Sequence, residues 1–158
     1  MKTMTKGTLA ALFAAAVLGA AGAPALAQSA EDAVKARQAD MRLRVHYLAL
    51  LGGMAKGAIP YDAGKAQKAA DSLKAMLALD RSRMWPRGSD SFSIDGTRAK
   101  PEIWDNLPDF VAKGKANGAA IMELAAVAGQ GLDALRPAVG KVGQTCSACH
   151  KQYREPEQ

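Results

Sequence analysis

The chain has little from which to build a sheet. β-branched residues are sparse, strand-period alternation is nearly absent, and aromatic residues make up 5% of the 158 positions. Sandwiches and barrels draw on those residue types, so an all-β architecture is excluded. No dense run of lysine or arginine occurs, and no aromatics interleave with basic residues, so nothing supports a nucleic-acid partner. The one long charge-free apolar run, Leu9 to Ala23, falls short of the ~20 residues of a spanning helix, and no later segment is apolar enough to span. Cysteine is limited to Cys146 and Cys149, and histidine to His46 and His150.

The N-terminus reads as an export signal. Lys2 and Lys6 precede the apolar run, and Ala25-Leu26-Ala27 supplies a small-residue cleavage site. Residues 1–27 are expected to be removed, leaving one domain over 28–158 with no membrane segment, in the periplasm. The formal charge of +6 loses two lysines with the signal. The remaining mild positive excess fits an ordinary soluble surface, and it could also steer the protein toward an acidic partner.

Apolar residues recur at helical spacing in four blocks. The first runs from about Ala30 to Lys56, with Ser29 as N-cap. Its expected inner stripe is Val34, Gln38, Met41, Val45, Leu48, Gly52 and Ala55, an alternating four-three step. The second, from about Asp62 to Leu79, buries Ala66, Ala69, Leu73, Met76 and Leu77. An irregular stretch follows, which Trp85 and Phe92 are expected to tuck onto the body. The third, from about Ile103 to Ala128, turns Leu107, Phe110, Val111, Ile121, Leu124 and Ala128 inward. Pro108 places the start of its long helix near Leu107, and Gly114 and Gly118 allow a close helix approach. The fourth, from about Leu132 to Arg154, lines up Leu132, Leu135, Val139, Val142, Cys146, Cys149 and Tyr153, and Pro137 should bend this helix or mark its start. Four amphipathic helices with mostly short links predict an all-α fold, an antiparallel up-down-up-down four-helix bundle.

The chemistry lies in Cys146-Ser147-Ala148-Cys149-His150. C-x-x-C-H is a signal for covalent haem attachment. On a helix the two thiols can add across the vinyl groups along one haem edge. His150 follows Cys146 by four residues, on the same face, where its imidazole can reach the iron. A thioredoxin-type pair needs a strand-helix setting, a zinc site needs a fourth ligand, and a disulfide over so short a span stabilises little. One motif means one haem. For the other side of the iron, Met41 and His46 are both candidates, on different sides of the first helix. Arg37 and Gln38, beside Met41, suit either a haem-propionate edge or a solvated helix face.

The chain resembles the cytochrome c′ family, the class II c-type cytochromes. The resemblance rests on Arg37-Gln38-Ala39-Asp40-Met41, Pro60-Tyr61-Asp62, Pro101-Glu102-Ile103-Trp104, and Val142 through His150 followed by Tyr153-Arg154. It covers the whole chain after the signal. It implies one covalent haem c, with Cys146 and Cys149 as thioether anchors and His150 as the proximal iron ligand. It also implies Arg37 and Gln38 near the propionates, Met41 at the distal position, Arg154 near the proximal histidine and Arg98 near the haem edge. The implied function is electron transfer or the binding of diatomic gases such as nitric oxide, without enzymatic turnover, by a protein that can form a homodimer and meets a redox partner protein. Two variants share this fold. In one, the distal residue does not bind iron and the haem is five-coordinate; in the other, a first-helix methionine, here Met41, is the sixth ligand of a low-spin electron carrier.

Overall fold

A computed structural model describes residues 29–157; the signal-peptide reading of residues 1–27 lies outside them. Four long helices carry the chain: α1 (Ala30–Ala55), α2 (Ala63–Ala75), α4 (Leu107–Val127) and α5 (Leu132–Tyr153). A one-turn helix, α3 (Glu102–Asp105), precedes α4. Among the described residues there is no strand, only an isolated antiparallel bridge between Ala99 and Arg154. The packed pairs α1–α2, α2–α4, α4–α5 and α5–α1 close a ring of four helices, the expected bundle.

Local chemistry sets the helix ends. The Ser29 hydroxyl accepts the Asp32 N–H at 3.1 Å, and the Asp62 carboxylate accepts that of Lys65 at 2.9 Å. Asn106 caps α4, with Pro108 in its first turn. α5 begins at Leu132 and runs through Pro137, so the proline does not mark its start. Gly131 sits before it at φ +119°, a backbone conformation that side-chain-bearing residues rarely adopt. The Tyr61 hydroxyl donates to the Ala128 carbonyl and accepts from the Gly131 N–H, both at 2.9 Å, tying the α1–α2 link to the α4–α5 link.

The main core gathers Leu51, Met54, Leu73, Ile121, Leu124, Leu135 and Val142, all at or near full burial. α2 and α5 present the expected faces to it. α1 does not. Its buried side is Ala33, Arg37, Asp40, Leu51 and Met54, with Arg44 and Tyr47 partly buried on the same four-three step. This stripe lies one residue earlier than hydropathy predicts, a rotation of about 100°. Val34 is buried and Leu48 packs on the core, but Met41 and Val45 are 42% and 65% exposed. The reason is that the charged residues satisfy each other. The Asp40 carboxylate takes Arg44 Nε at 3.2 Å and Arg81 Nε at 3.1 Å, so the burial of its charge is compensated.

Three further expectations change. Leu107 and Val111 are 45% and 44% exposed, because the buried face of α4 is confined to Ala120, Ile121, Leu124 and Ala125 in its second half. Added side-chain carbon at Gly114 would meet nothing within 4 Å, and at Gly118 only Leu77 at 3.9 Å, so neither glycine serves a close helix approach. Phe92 is 84% exposed and does not hold the loop. Arg37 does. Its guanidinium donates to the Met84 carbonyl at 3.2 Å, the Ser89 hydroxyl at 2.7 Å, the Ser89 carbonyl, and Thr97 Oγ1 at 2.9 Å. It also lies 4.6 Å from the centroid of the Trp85 ring. Trp85 packs edge-on against Phe110 in a second cluster built on Ala99, Ile103 and Tyr153.

Two outcomes follow from these buried polar groups. Replacing Arg37 by Ala strands the Ser89 and Thr97 acceptors and should cost about 3 kcal/mol of unfolding free energy by denaturant titration. A loss within about 0.5 kcal/mol, the range of ordinary surface substitutions, would show that the tie is idle. The Tyr153 hydroxyl donates to Asp109 Oδ2 at 2.6 Å, and burial followed by that carboxylate pushes its pKa up to about 12. A raised folded value means the contribution is complete below the ordinary value near 10 and is lost as pH rises through about 12. Across that window, wild type should lose stability more steeply than Tyr153→Phe; parallel curves would remove Tyr153 as the cause.

Candidate functional site

The last two turns of α5 carry Cys146, Cys149 and His150, all partly buried. Helical geometry puts the two sulfurs one turn apart and His150 one turn beyond Cys146. Cys146 packs against the main core and Cys149 against the Ala99–Ile103–Tyr153 cluster, so the two thiols bridge the two apolar clusters. Asn117, on α4, aims its amide at this point: Nδ2 donates to Thr145 Oγ1 at 2.9 Å and lies 3.4 Å from Cys146 Sγ.

The electrostatics distinguish the possible chemistries. Both cysteines are free. Burial pushes both thiols above their ordinary pKa; at Cys146 the Asn117 hydrogen bond and the Arg44 charge oppose this, and at Cys149 the Lys113 charge does. A thiol-disulfide exchange pair needs the reverse, a lowered thiol pKa. Among the described residues no group of three or more His, Cys, Asp or Glu is placed to hold a metal ion, so a four-ligand zinc site has no support there.

His150 lines a cleft of about 470 Å³ together with Arg98, Ser147, Lys151 and Arg154. Burial, and then the charges of Arg154 and Arg98, pull its pKa down. This favours neutral imidazole, the form that binds iron. The chain's return past α5 assembles this wall. Ala99 pairs with Arg154, Lys100 N–H donates to the Tyr153 carbonyl at 3.0 Å, and Glu155 N–H donates to that of Arg98 at 2.8 Å. Arg98 Nη2 pairs with Glu157 at 3.1 Å, while its Nη1 is buried with no protein partner. Two thiols a turn apart, a neutral imidazole beside them and an unmet guanidinium donor next to that imidazole fit a covalently held haem.

The other candidates all stand on α1. Arg37 and Gln38 both reach the loop before α3, Gln38 Nε2 donating to the Gly96 carbonyl at 2.8 Å. Met41 is one residue from buried Asp40 and belongs to neither packed protein cluster. His46 is exposed, its ring 5.2 Å from that of Tyr47. Sequence reasoning missed Asp40, Arg44 and Asn117. Arg44 Nη1 meets Asn117 Oδ1 at 3.3 Å, completing a chain from Asp40 on α1 to Cys146 on α5. The i,i+4 spacing of Asp40 and Arg44 was a readable signal, but nothing in the sequence announces their burial.

Known proteins resemble this chain in sequence and in fold. The family described as Cytochrome C′ matches residues 32–154. A cytochrome c′ from Cereibacter sphaeroides is 39% identical over 140 residues, 89% of this chain and 94% of that protein. A solved cytochrome c′ from Rhodobacter Spheriodes superimposes with a TM-score of 0.80 at 38% identity, covering 82% of this chain and 99% of that one. A nitric oxide complex of a cytochrome c′ variant from Alcaligenes xylosoxidans does so with a TM-score of 0.72 at 35% identity, over 82% and 98%. Proteins of this family carry a covalently bound haem c, the cofactor that the α5 residues fit. By family match, 39% identity over 89% of the chain and the shared bundle, the chain belongs to the cytochrome c′ family.

Proposed function

We propose that this chain is an exported monohaem cytochrome of the periplasm that transfers electrons or binds diatomic gases, and that it is not an enzyme. The observation that carries this reading is the convergence of Cys146, Cys149 and His150 on one end of α5, with His150 held neutral by burial and two arginines. Cys146 and Cys149 would anchor the haem through thioethers, and His150 would bind its iron on the proximal side. The haem, when bound, supplies the one-electron couple and the site for a small ligand. Arg98 and Arg154 stand beside His150, where their charges add to burial in lowering the pKa of the imidazole. Arg37 and Gln38 would serve the propionate side, Arg37 mainly through its charge, because four of its hydrogen bonds already hold the loop. The nitric oxide complex of the Alcaligenes relative supports a gas ligand. Mild positive charge suits an acidic redox partner, and the outward Leu43 and Val45 of α1 suit contact with a second copy.

Met41 supports a second reading. Its thioether stands outside both packed clusters, so no core contact would be given up if it served as sixth iron ligand.

Two measurements separate these readings. Replacing both Cys146 and Cys149 by Ala should abolish the haem stain that survives denaturing electrophoresis; a stain that persists would refute thioether attachment there. The wild-type spectrum is expected to be high-spin and unchanged in Met41→Ala. A low-spin wild type that turns high-spin in this variant would instead make Met41 a ligand.

A further inference from the structure

The Asp40–Arg44–Asn117 chain crosses three helices and ends on a haem-anchoring sulfur. Asp40, its side chain 4% exposed, accepts Arg44 Nε on both oxygens, at 3.3 and 3.2 Å. The Arg44 side chain is itself only 12% exposed. Its Nη1 donates to Asn117 Oδ1, which fixes which end of that amide faces Cys146. With Oδ1 held by Arg44, Nδ2 is left to donate to Thr145 Oγ1 and toward Cys146 Sγ. Asp40 also takes Arg81, through Nε at 3.1 Å and Nη2 at 3.4 Å, and Arg81 Nη2 donates to the Met76 carbonyl at 2.5 Å. One carboxylate thus faces two guanidinium groups, and the cluster keeps one positive charge in a sparsely hydrated place.

We propose that Asp40, Arg44 and Asn117 are positioning residues that set the reduction potential of the haem, holding a partly buried cation and an oriented amide beside Cys146. The inference rests on thioether attachment at Cys146. The physics has a definite sign. A nearby cation disfavours the more positive ferric state, and low local polarity strengthens the effect. An amide N–H directed at the sulfur turns the positive end of its dipole toward that anchor and acts in the same direction. Removing Arg44's charge therefore favours oxidation. Removing Asp40's charge leaves the arginines less neutralised and favours reduction. A purely structural role would move both variants the same way, through loosened packing.

The experiment is a spectroelectrochemical titration of the purified haem-loaded protein and its variants. Arg44→Gln should raise the ferric-to-ferrous ratio at fixed potential about ten-fold, a lowering of about 59 mV for a one-electron couple. Arg44→Lys should recover most of that shift, because the charge returns without the planar fork. Asp40→Asn should move the potential upward. Asn117→Leu should lower it by less than Arg44→Gln, and serves as the second variant if Arg44→Gln does not fold. Haem-loaded variants with unchanged potentials, or Arg44→Gln and Asp40→Asn shifted in one direction, would overturn the assignment. A wild type without covalent haem would overturn the functional reading itself, an outcome seen before any titration begins.

Discussion

The rotation of α1 about its own axis is fixed by charge. Asp40 sits between Arg44 and Arg81, and Arg37 threads into the loop before α3. Buried ion pairs add little net stability, because desolvation offsets most of the attraction. They do discriminate between alternatives. Rotating α1 by one residue would bury Met41 and Val45, but it would break both charge networks and leave their partners unsatisfied inside the bundle. The penalty for stranding buried charges exceeds the gain from covering two apolar side chains.

The surroundings of the Cys146–His150 end of α5 follow from that choice. With Arg37 inward, the loop before α3 is drawn against α1, and the Trp85–Phe110 contact is set. The same loop continues to Arg98 and Ala99, which pair back onto the end of α5 beside His150. With Arg44 inward, its guanidinium reaches across to Asn117 and so to Cys146. One helix face therefore touches both sides of the motif on α5, through the loop on the His150 side and through α4 on the Cys146 side.

The site also shows how burial selects chemistry. The same Cys-x-x-Cys spacing serves disulfide exchange when the thiols are electropositive and partly wet. Here the sulfurs join two apolar clusters, and desolvation outweighs the help from Asn117, Arg44 and Lys113. At His150, burial and the two arginines act together, so the imidazole stays neutral. Burial thus raises the pKa of both thiols, while burial together with two arginines lowers that of the imidazole.

Local patterns in the sequence determined much of this protein. The caps at Ser29 and Asp62, the start of α4 at Leu107, the faces of α2 and α5, and the Cys146–Cys149–His150 constellation are all encoded within a few residues of chain. Periodicity and capping are short-range, so they can be read without the fold. Tertiary structure decided what depends on distant partners. The stripe on α1 was legible in period but not in phase, because hydropathy counts Asp40 as a surface residue until Arg81, 41 positions away, is known to meet it. Leu107, Val111 and Phe92 face outward for the related reason that an apolar side chain turns inward only where another element covers it. Arg98 beside His150, and Arg44 beside Asn117, came from the meeting of segments far apart in the chain, and pairings over such separations are set by packing.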